Sequence, residues 1–442
     1  MLFRSKEKPT TPEASIKEYT TSEVIVDDQS SVHFDHGVER EAQGSSFLAY
    51  FNVVCVVAGT GALSLPYALR QGGWIGLFIL FLSWMFSTYT GIILIKCLYH
   101  NGRTRLSSYQ EIAQDAFGTI GSWVAFFFTF IILIGVSVLF MMLAGSNLTA
   151  ICQGTSAELS MEIWTIICCA AVALPFVFFK SMKEVGFLSA FGALATVITI
   201  LIVLVESIKD KKNHSNVHTD SVIWDQFPIA LSSIVFSFGG NPVYAHVEAG
   251  MRRPQDWNKV VFAGLTTCVI IYLLIAVPGY AIYGNQVESP AYNSIPDGPS
   301  KIAAQIIITL HVIFACPILL TALSLDLEKL FKISSFHHSR LVEIALRMTL
   351  RIVMIVVVAA VAIEVPFFGD FLSLLGAFSN CGLVLIFPVA FYLRLTGVRN
   401  KPWYELIVCF LIVVLGIVGL IFGSKSAILN LRDDFNKTSS SS

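Results

Sequence analysis

Apolar runs of twenty residues or more recur along the 442-residue chain, and no other feature limits its possible folds so strongly. A helix of about 20 apolar residues crosses the hydrocarbon core of a bilayer. Inside that core backbone polar groups must pair within their own segment, so such runs become helices. We read spans at 45–69, 74–98, 122–148, 162–179, 184–206, 226–249, 258–284, 301–325, 343–365, 367–393 and 402–423. Only Val365 and Pro366 divide the ninth from the tenth. Only 13% of residues are charged against 55% hydrophobic, about half the charge a soluble domain carries. The expected fold class is an all-α polytopic membrane protein, with lipid around its outer faces.

Residues 1–44 are polar and too poor in apolar area to fold alone, so we expect a disordered cytosolic tail, an eleven-helix domain over 45–423 and a polar non-cytosolic tail over 424–442. The first apolar run is itself a spanning helix and not a cleaved leader. Lysine and arginine concentrate in cytosolic loops. With the N-terminus inside, 20 of the 29 basic residues fall on the inner side, and the run Lys209–Lys212 is the main dissent. Arg351, just inside the ninth span, is expected to snorkel toward the inner surface. The N-x-S/T sequons at Asn147, Asn213 and Asn436 all fall outside, and Asn213, in the 207–225 loop, is the expected glycan acceptor; Asn147 lies too near the bilayer. Net charge is −1, which gives no field for nucleic acid. The nine cysteines contain no C-x-x-C pair and mostly sit in apolar runs as packing residues, so no metal, redox centre or other cofactor is expected.

Two spans carry helix-breaking sequence at mid-depth. The first reads Gly59-Thr60-Gly61-Ala62-Leu63-Ser64-Leu65-Pro66, and the sixth reads Phe238-Gly239-Gly240-Asn241-Pro242. Glycine weakens a helix and proline removes a donor, so both should unwind locally. Unwound backbone at that depth persists only where it lines a cavity or is buried in protein. Its free amides suit a carboxylate and its free carbonyls an ammonium, which together describe a zwitterion. Breaks in the first and sixth spans imply two inverted repeats of five helices with an eleventh appended. Pro175, Pro278, Pro317 and Pro388 lack the glycine cluster and are read as kinks.

The stretch Gly59 to Leu69, followed by Gly72-Gly73-Trp74, resembles the first-helix signature of the amino acid/auxin permease family. Tyr89-Thr90-Gly91 with Leu98-Tyr99 is similar to its vacuolar and vesicular inhibitory amino acid transporter branch. Phe236 to Pro242, then Glu248-Ala249-Gly250-Met251 and Pro254, resembles the family's sixth helix and inner loop. The likeness spans 45–423 and has a fungal cast. It implies a LeuT-like fold and a monomeric secondary transporter of amino acids in a vacuolar or plasma membrane. Sodium-coupled members carry asparagine four residues before the motif's first glycine; here that position is Cys55, which favours protons as the coupling ion.

The resemblance places the substrate between the first, third, sixth, eighth and tenth helices. It makes Gly59, Thr60, Gly61 and Ala62 the expected substrate-binding backbone, with Phe238, Gly239 and Gly240 opposite and Ser379 on the tenth span. Pro66, Asn241 and Pro242 would support the breaks, Asn241 by bonding freed carbonyls. Phe238 has two readings, a cap on the side-chain pocket or a packing residue. Ser379 and Asn380 either touch substrate or bond across helices. His311 falls near mid-membrane in the eighth span, where an ionisable group is costly; it is either the proton carrier or a neutral ring bonded within the bundle. Glu364 and Asp370, at outer helix ends, are gates or solvated charges. Glu248 pairs with Arg252 and Arg253, as an opening bridge or a static one. Cys152, in an outer loop, has no partner cysteine in 285–300 for the disulfide some relatives form. A sodium-coupled transporter and an amino-acid-sensing receptor of the same fold are the alternatives. No G-x-x-x-x-G-K-[ST] loop supports an ATP-driven pump. An intramembrane enzyme would need acidic partners for His311 that the sequence does not show.

Overall fold

The computed structural model describes residues 44–102, 105–178, 186–214, 217–333, 339–365, 367–399 and 401–441. The tail over 1–43, with its five basic residues, and Arg103, Lys180, Lys183 and Pro366 lie outside the described residues. Within them the chain is helical, with no strand beyond one isolated bridge.

A helix or a pair of half-helices stands at each expected span, and among the described residues eight helices are long and apolar enough to cross a membrane, nine with the bent first pair. The first is α1 (Ser46–Val57), a 3-10 turn at Thr60–Ser64 and α2 (Leu65–Gly72). Then come α3 (Ile75–Leu98), α4 (Tyr109–Cys152), α5 (Met161–Phe178) and α6 (Gly186–Asp210). The sixth span is two short helices, α7 (Phe227–Phe236) and α8 (Asn241–Ala249). It is followed by α9 (Trp257–Tyr283), α10 (Pro299–Leu330) and α11 (Arg340–Glu364). The tenth is α12 (Phe368–Leu375), a π-helical stretch Gly376–Ile386 and α13 (Phe387–Thr396). The last is α14 (Trp403–Val418), a π turn at Gly419–Gly423 and α15 (Ser424–Ser441).

Local chemistry explains the ends. Ser45 and Ser108 cap α1 and α4 with their hydroxyls, satisfying Leu48 N and Glu111 N. Gly73, at φ 84°, stops α2 where a side chain would strike the Asp220–Ser221 backbone. Gly118, at φ 67°, divides α4 into a short leading helix and the span proper, so this element begins well before the expected 122. α15 continues the last span through polar sequence, and its Phe435 ring meets Phe367 edge-on at 5.0 Å.

The core is continuous. α10 packs on α4 and α6, α1 and α6 on α9, and α7 on the π-helical stretch and α2. Faces that meet no other helix are apolar: Ile352, Val353, Val356 and Val357 on α11, and Ile407, Phe410 and Val414 on α14. In water such stripes would be costly; against lipid they are the favourable solvent contact.

Arg351 does not snorkel. It is 1% exposed and donates to Glu328 Oε1 at 3.2–3.3 Å and to the Phe176 carbonyl at 2.8 Å. Arg347 holds the other Glu328 oxygen at 3.0 Å. The buried carboxylate offers a guanidinium more than the distant interface does, and the cluster ties the fourth, eighth and ninth spans. Arg351→Ala should therefore lower unfolding stability by about 3–5 kcal/mol, read by thermal unfolding in detergent.

Candidate functional site

α1 ends where Ala58 N bonds Val54 O, and Gly59 turns the backbone extended (φ −96°, ψ −161°). The following Thr60–Ser64 turn leads into α2 at a bend of 43°. Pro66 sits in the first turn of α2, where its missing N–H has no partner to lose, and it packs so tightly on Gly279 that a Cβ there would lie 2.8 Å away. Pro242 holds the same place in α8. Between α7 and α8, Ser237 to Gly240 form the second break.

The two breaks touch. A Cβ on Gly61 would lie 3.1 Å from the Phe236 ring and 3.2 Å from Ser237 Cα, so glycine permits the approach. Tyr272, fully buried on α9, places its hydroxyl 2.8 Å from Val57 O and 2.5 Å from Ser237 O. One hydroxyl hydrogen thus faces the terminal carbonyls of both half-helices. Asn380 Nδ2 donates to Phe236 O at 3.1 Å and lies against Gly239. The amides that open the Thr60–Ser64 turn precede any bond of that turn, so they face outward as donors. Space beside Gly59 is open, with no atom within 4 Å of where its Cβ would be. The Ser237 and Ser379 hydroxyls are buried without a partner among the described residues. Open space, outward amides, terminal carbonyls and two unsatisfied hydroxyls suit a small zwitterion.

Other expected residues fall elsewhere. Phe238 is fully buried, edge-on to Tyr272 at 5.4 Å, in the position of a packing residue. Thr60, Gly61 and Ala62 are buried with the break, Gly239 is half-buried, and Gly240 lies against the Tyr244 ring. Asn241 does not bond the freed carbonyls of its own break. Its amide reaches Thr90 Oγ1 (3.4 Å) and Val384 O (3.2 Å), tying α8 to the second and tenth spans. Tyr272 and Asn380 hold the break instead. His311, 8% exposed, lies against Gly192 of α6 and the Phe140 ring of α4. Its recorded contacts are with the third and fifth spans rather than either break, and its Nδ1 has no partner among the described residues. Tyr272 carried no signal in sequence beyond being a polar-tipped ring at mid-span.

The end of the bundle that carries the N-terminal segment is closed. Glu248 is fully buried and pairs with Arg105 at 2.7 Å, not with Arg252 or Arg253. Those two follow the end of α8 and are both exposed, whereas Arg105 enters from the loop before α4 and also donates to Ala245 O. Tyr99 donates to the other Glu248 oxygen at 2.6 Å. A main-chain bridge completes the closure, Gly44 N to Gly250 O (3.0 Å) and Arg252 N to Gly44 O (2.7 Å).

At the opposite end lies a cavity of about 330 Å³, lined by Tyr67, Arg70, Ser146, Ser289 and Asp370 among others. That volume is in the range of small-molecule sites. Asp370 is not a solvated end charge; it is 4% exposed, with the Tyr67 hydroxyl 3.5 Å away. Ser64, on the first break's turn, shares a hydrogen bond with Ser289 of the cavity wall at 3.0 Å. Asn147 is buried, with its amide on Thr309 and its carbonyl receiving the Tyr292 hydroxyl, which closes it to a glycan. Cys152 is a free thiol. No group of three or more metal-ligating side chains occurs among the described residues.

A family model described as transmembrane amino acid transporter protein matches residues 42–429. Similar curated proteins from Arabidopsis thaliana include amino acid transporter AVT1B, 28% identical over 92% of this chain and 74% of the relative. Amino acid transporter AVT1J is 27% identical over 95% of this chain and 99% of its own. Among solved structures, a sodium-coupled sialic acid symporter in a substrate-bound outward-open state aligns at TM-score 0.56 and 12% identity, covering 88% of this chain and 91% of that one. MhsT in complex with L-phenylalanine aligns at TM-score 0.52 and 12% identity, covering 85% and 98%. At that identity the likeness concerns the fold alone, which is the LeuT-like architecture of five plus five helices.

Proposed function

The chain belongs to the transmembrane amino acid transporter family, and from that premise we propose that it carries amino acids across a vacuolar or plasma membrane with protons, as a monomer working by alternating access. The observation that carries this reading is the meeting of two broken helices around Tyr272, beside open space at Gly59. The substrate carboxylate takes the amides at Thr60 and Gly61, and its ammonium takes the carbonyls that end α1 and α7. Ser379 and Ser237 supply further hydrogen bonds, and Gly239 and Gly240 keep the opposite wall free of side chains. Phe238 backs Tyr272 and so fixes the floor of the site. Pro66 and Pro242 start the second half-helices, and Asn241 anchors α8.

Alternating access needs one end closed while the other is open. The Glu248–Arg105 pair and the bridge at Gly44 support a closed end, and the 330 Å³ cavity supports an open one. We place the closed end in the cytosol, following the basic-residue bias. On that placement Asn213, exposed in a 3-10 turn on the far side, is the glycan acceptor.

The test is uptake of labelled amino acids by the purified chain in liposomes, under an imposed pH gradient and an imposed sodium gradient. Uptake should follow the pH gradient and ignore sodium. His311→Ala reads the proton path: if His311 carries the proton, substrate binding persists while proton-driven accumulation falls to the equilibrium level. Unchanged accumulation in His311→Ala removes that residue from the proton path. Sodium-driven uptake overturns proton coupling, and binding without flux favours a receptor.

A further inference from the structure

We propose that Gln71, Ser233 and Ser373 are positioning residues that clamp α2, α7 and α12, the outer halves of the first, sixth and tenth spans, into one body, so that the cavity closes by a single swing of all three. Each residue comes from a different half-helix. Ser233 Oγ is the hub, 2.8 Å from Ser373 Oγ and 3.3 Å from Gln71 Oε1. All three side chains are buried, with Gln71 at 7% the most exposed. Each serine also reaches the carbonyl one turn back, Ile229 O at 2.9 Å and Gly369 O at 2.7 Å. Those bonds fix the two rotamers, so the hydroxyls stay aimed at each other. Lipid tails are as apolar as leucine, so helices in a bilayer are held by bonds of this kind and by close backbone packing.

Glycine supplies the close packing, pair by pair. A Cβ on Gly72 would lie 2.8 Å from Ala230 Cβ, setting α2 against α7. One on Gly369 would lie 3.1 Å from the Tyr67 ring, setting α12 against α2, and one on Gly376 would lie 3.0 Å from Phe236 Cβ, setting the end of α12 against α7. The clamp stands on the cavity side of the breaks. Ser233 precedes Ser237 by about one helical turn, and Ser373 stands just before the π-helical stretch. Tyr67 of α2 and Asp370 of α12 line the cavity from the clamped body, and Ser146 of α4 and Met161 of α5 line it from outside that body. α12 also meets α4, where Leu375 fills the space a Cβ on Gly135 would need. That contact lies beside the break of the tenth span, at the pivot and not at the rim. The inner halves are tied elsewhere: α1 to α9 by Tyr50 and Thr267 at 2.9 Å, and α8 to α3 by Asn241 and Thr90. Side-chain ties thus change partner across the breaks, where hinges are needed.

A clamp differs from three local ties in one respect. Loosening its hub loosens helices that are far apart in sequence, and loosening one arm frees that arm alone. The inference rests on the transporter reading for the swing; the clamp itself needs no substrate.

The test is amide hydrogen exchange of the full chain in lipid nanodiscs without substrate. Ser233→Ala should raise exchange in 65–72, 227–236 and 368–375 together, by about fivefold, the equilibrium factor of one net hydrogen bond. Exchange in 46–57 and 241–249, the inner halves of the first and sixth spans, should stay at the parent rate. Ser373→Ala should raise exchange in 368–375 and leave α2 and α7 joined, and it carries the test if Ser233→Ala does not fold. In Ser233→Ala a rise confined to 227–236, no rise at all, or an equal rise in the inner halves overturns the clamp. The swing has its own readout, uptake into liposomes of labelled amino acids, each supplied alone. Ser233→Ala should lower the maximal rate about fivefold and keep the parent KM, because the clamp touches no substrate atom. An unchanged maximal rate overturns the swing. A parent chain that moves no amino acid defeats the transport reading, and the exchange pattern still decides the clamp.

Discussion

Glu248→Ala is expected to lower the stability of the folded chain by about 3–5 kcal/mol, the usual loss when one partner of a buried ion pair is removed. Arg105 is 9% exposed, and without Glu248 its recorded acceptor is the Ala245 carbonyl alone. Unfolding in detergent measures the loss. The informative companion is Arg105→Met with Glu248→Leu, which replaces the pair by apolar groups of similar volume and should restore stability to near the parent value. Uptake separates two roles. If the pair closes the bundle during the cycle, the double variant folds and transports poorly, because nothing re-forms a specific seal at that end. A double variant with normal uptake reduces the pair to a structural tie.

Tyr272→Phe removes one oxygen and should lower uptake about tenfold or more. Val57 O keeps its bond from Gly59 N at 2.8 Å, whereas Tyr272 is the recorded donor to Ser237 O. A buried acceptor left unsatisfied costs about 1–3 kcal/mol, and a factor of ten in rate corresponds to about 1.4 kcal/mol. That cost falls where α1 and α7 meet. Tyr280→Phe is the control: its hydroxyl accepts from the Asp220 amide in the loop before the sixth span, and its uptake should stay close to the parent value. Equal uptake in both variants would remove Tyr272 from the site.

The helix breaks were legible because glycine and proline state backbone behaviour directly, and the spans because twenty apolar residues have few other fates. Partners were less legible. Arg105 lies 143 residues from Glu248, so sequence proximity favoured Arg252 and Arg253, whose side chains go to solvent. Asn241 stands in the break, but the bend into α8 turns its amide across to Thr90 and Val384. The π-helical stretch around Asn380 has no reliable local signature beyond Gly376 and Gly382, although it brings that amide onto Phe236 O. The depth of His311 could be counted along its span, whereas the facing Gly192 could not be foreseen. In α15 a signal was present and subtle: Ile428, Leu431 and Phe435 recur at helical spacing inside a polar segment.

The bridge between Gly44 and the Gly250–Arg252 loop consists of backbone groups alone. Most substitutions at 250–252 leave such a seal intact, so mutational drift there would go unnoticed by function. Its vulnerabilities are of another kind. A proline at 252 deletes the donor that reaches Gly44 O. Any side chain at 44 meets Gly250 O at 2.7 Å. An insertion or deletion between Gly44 and the start of α1 shifts the register. A search for this seal among natural variants should therefore track loop length, proline gain and the glycine at 44 rather than the other side chains.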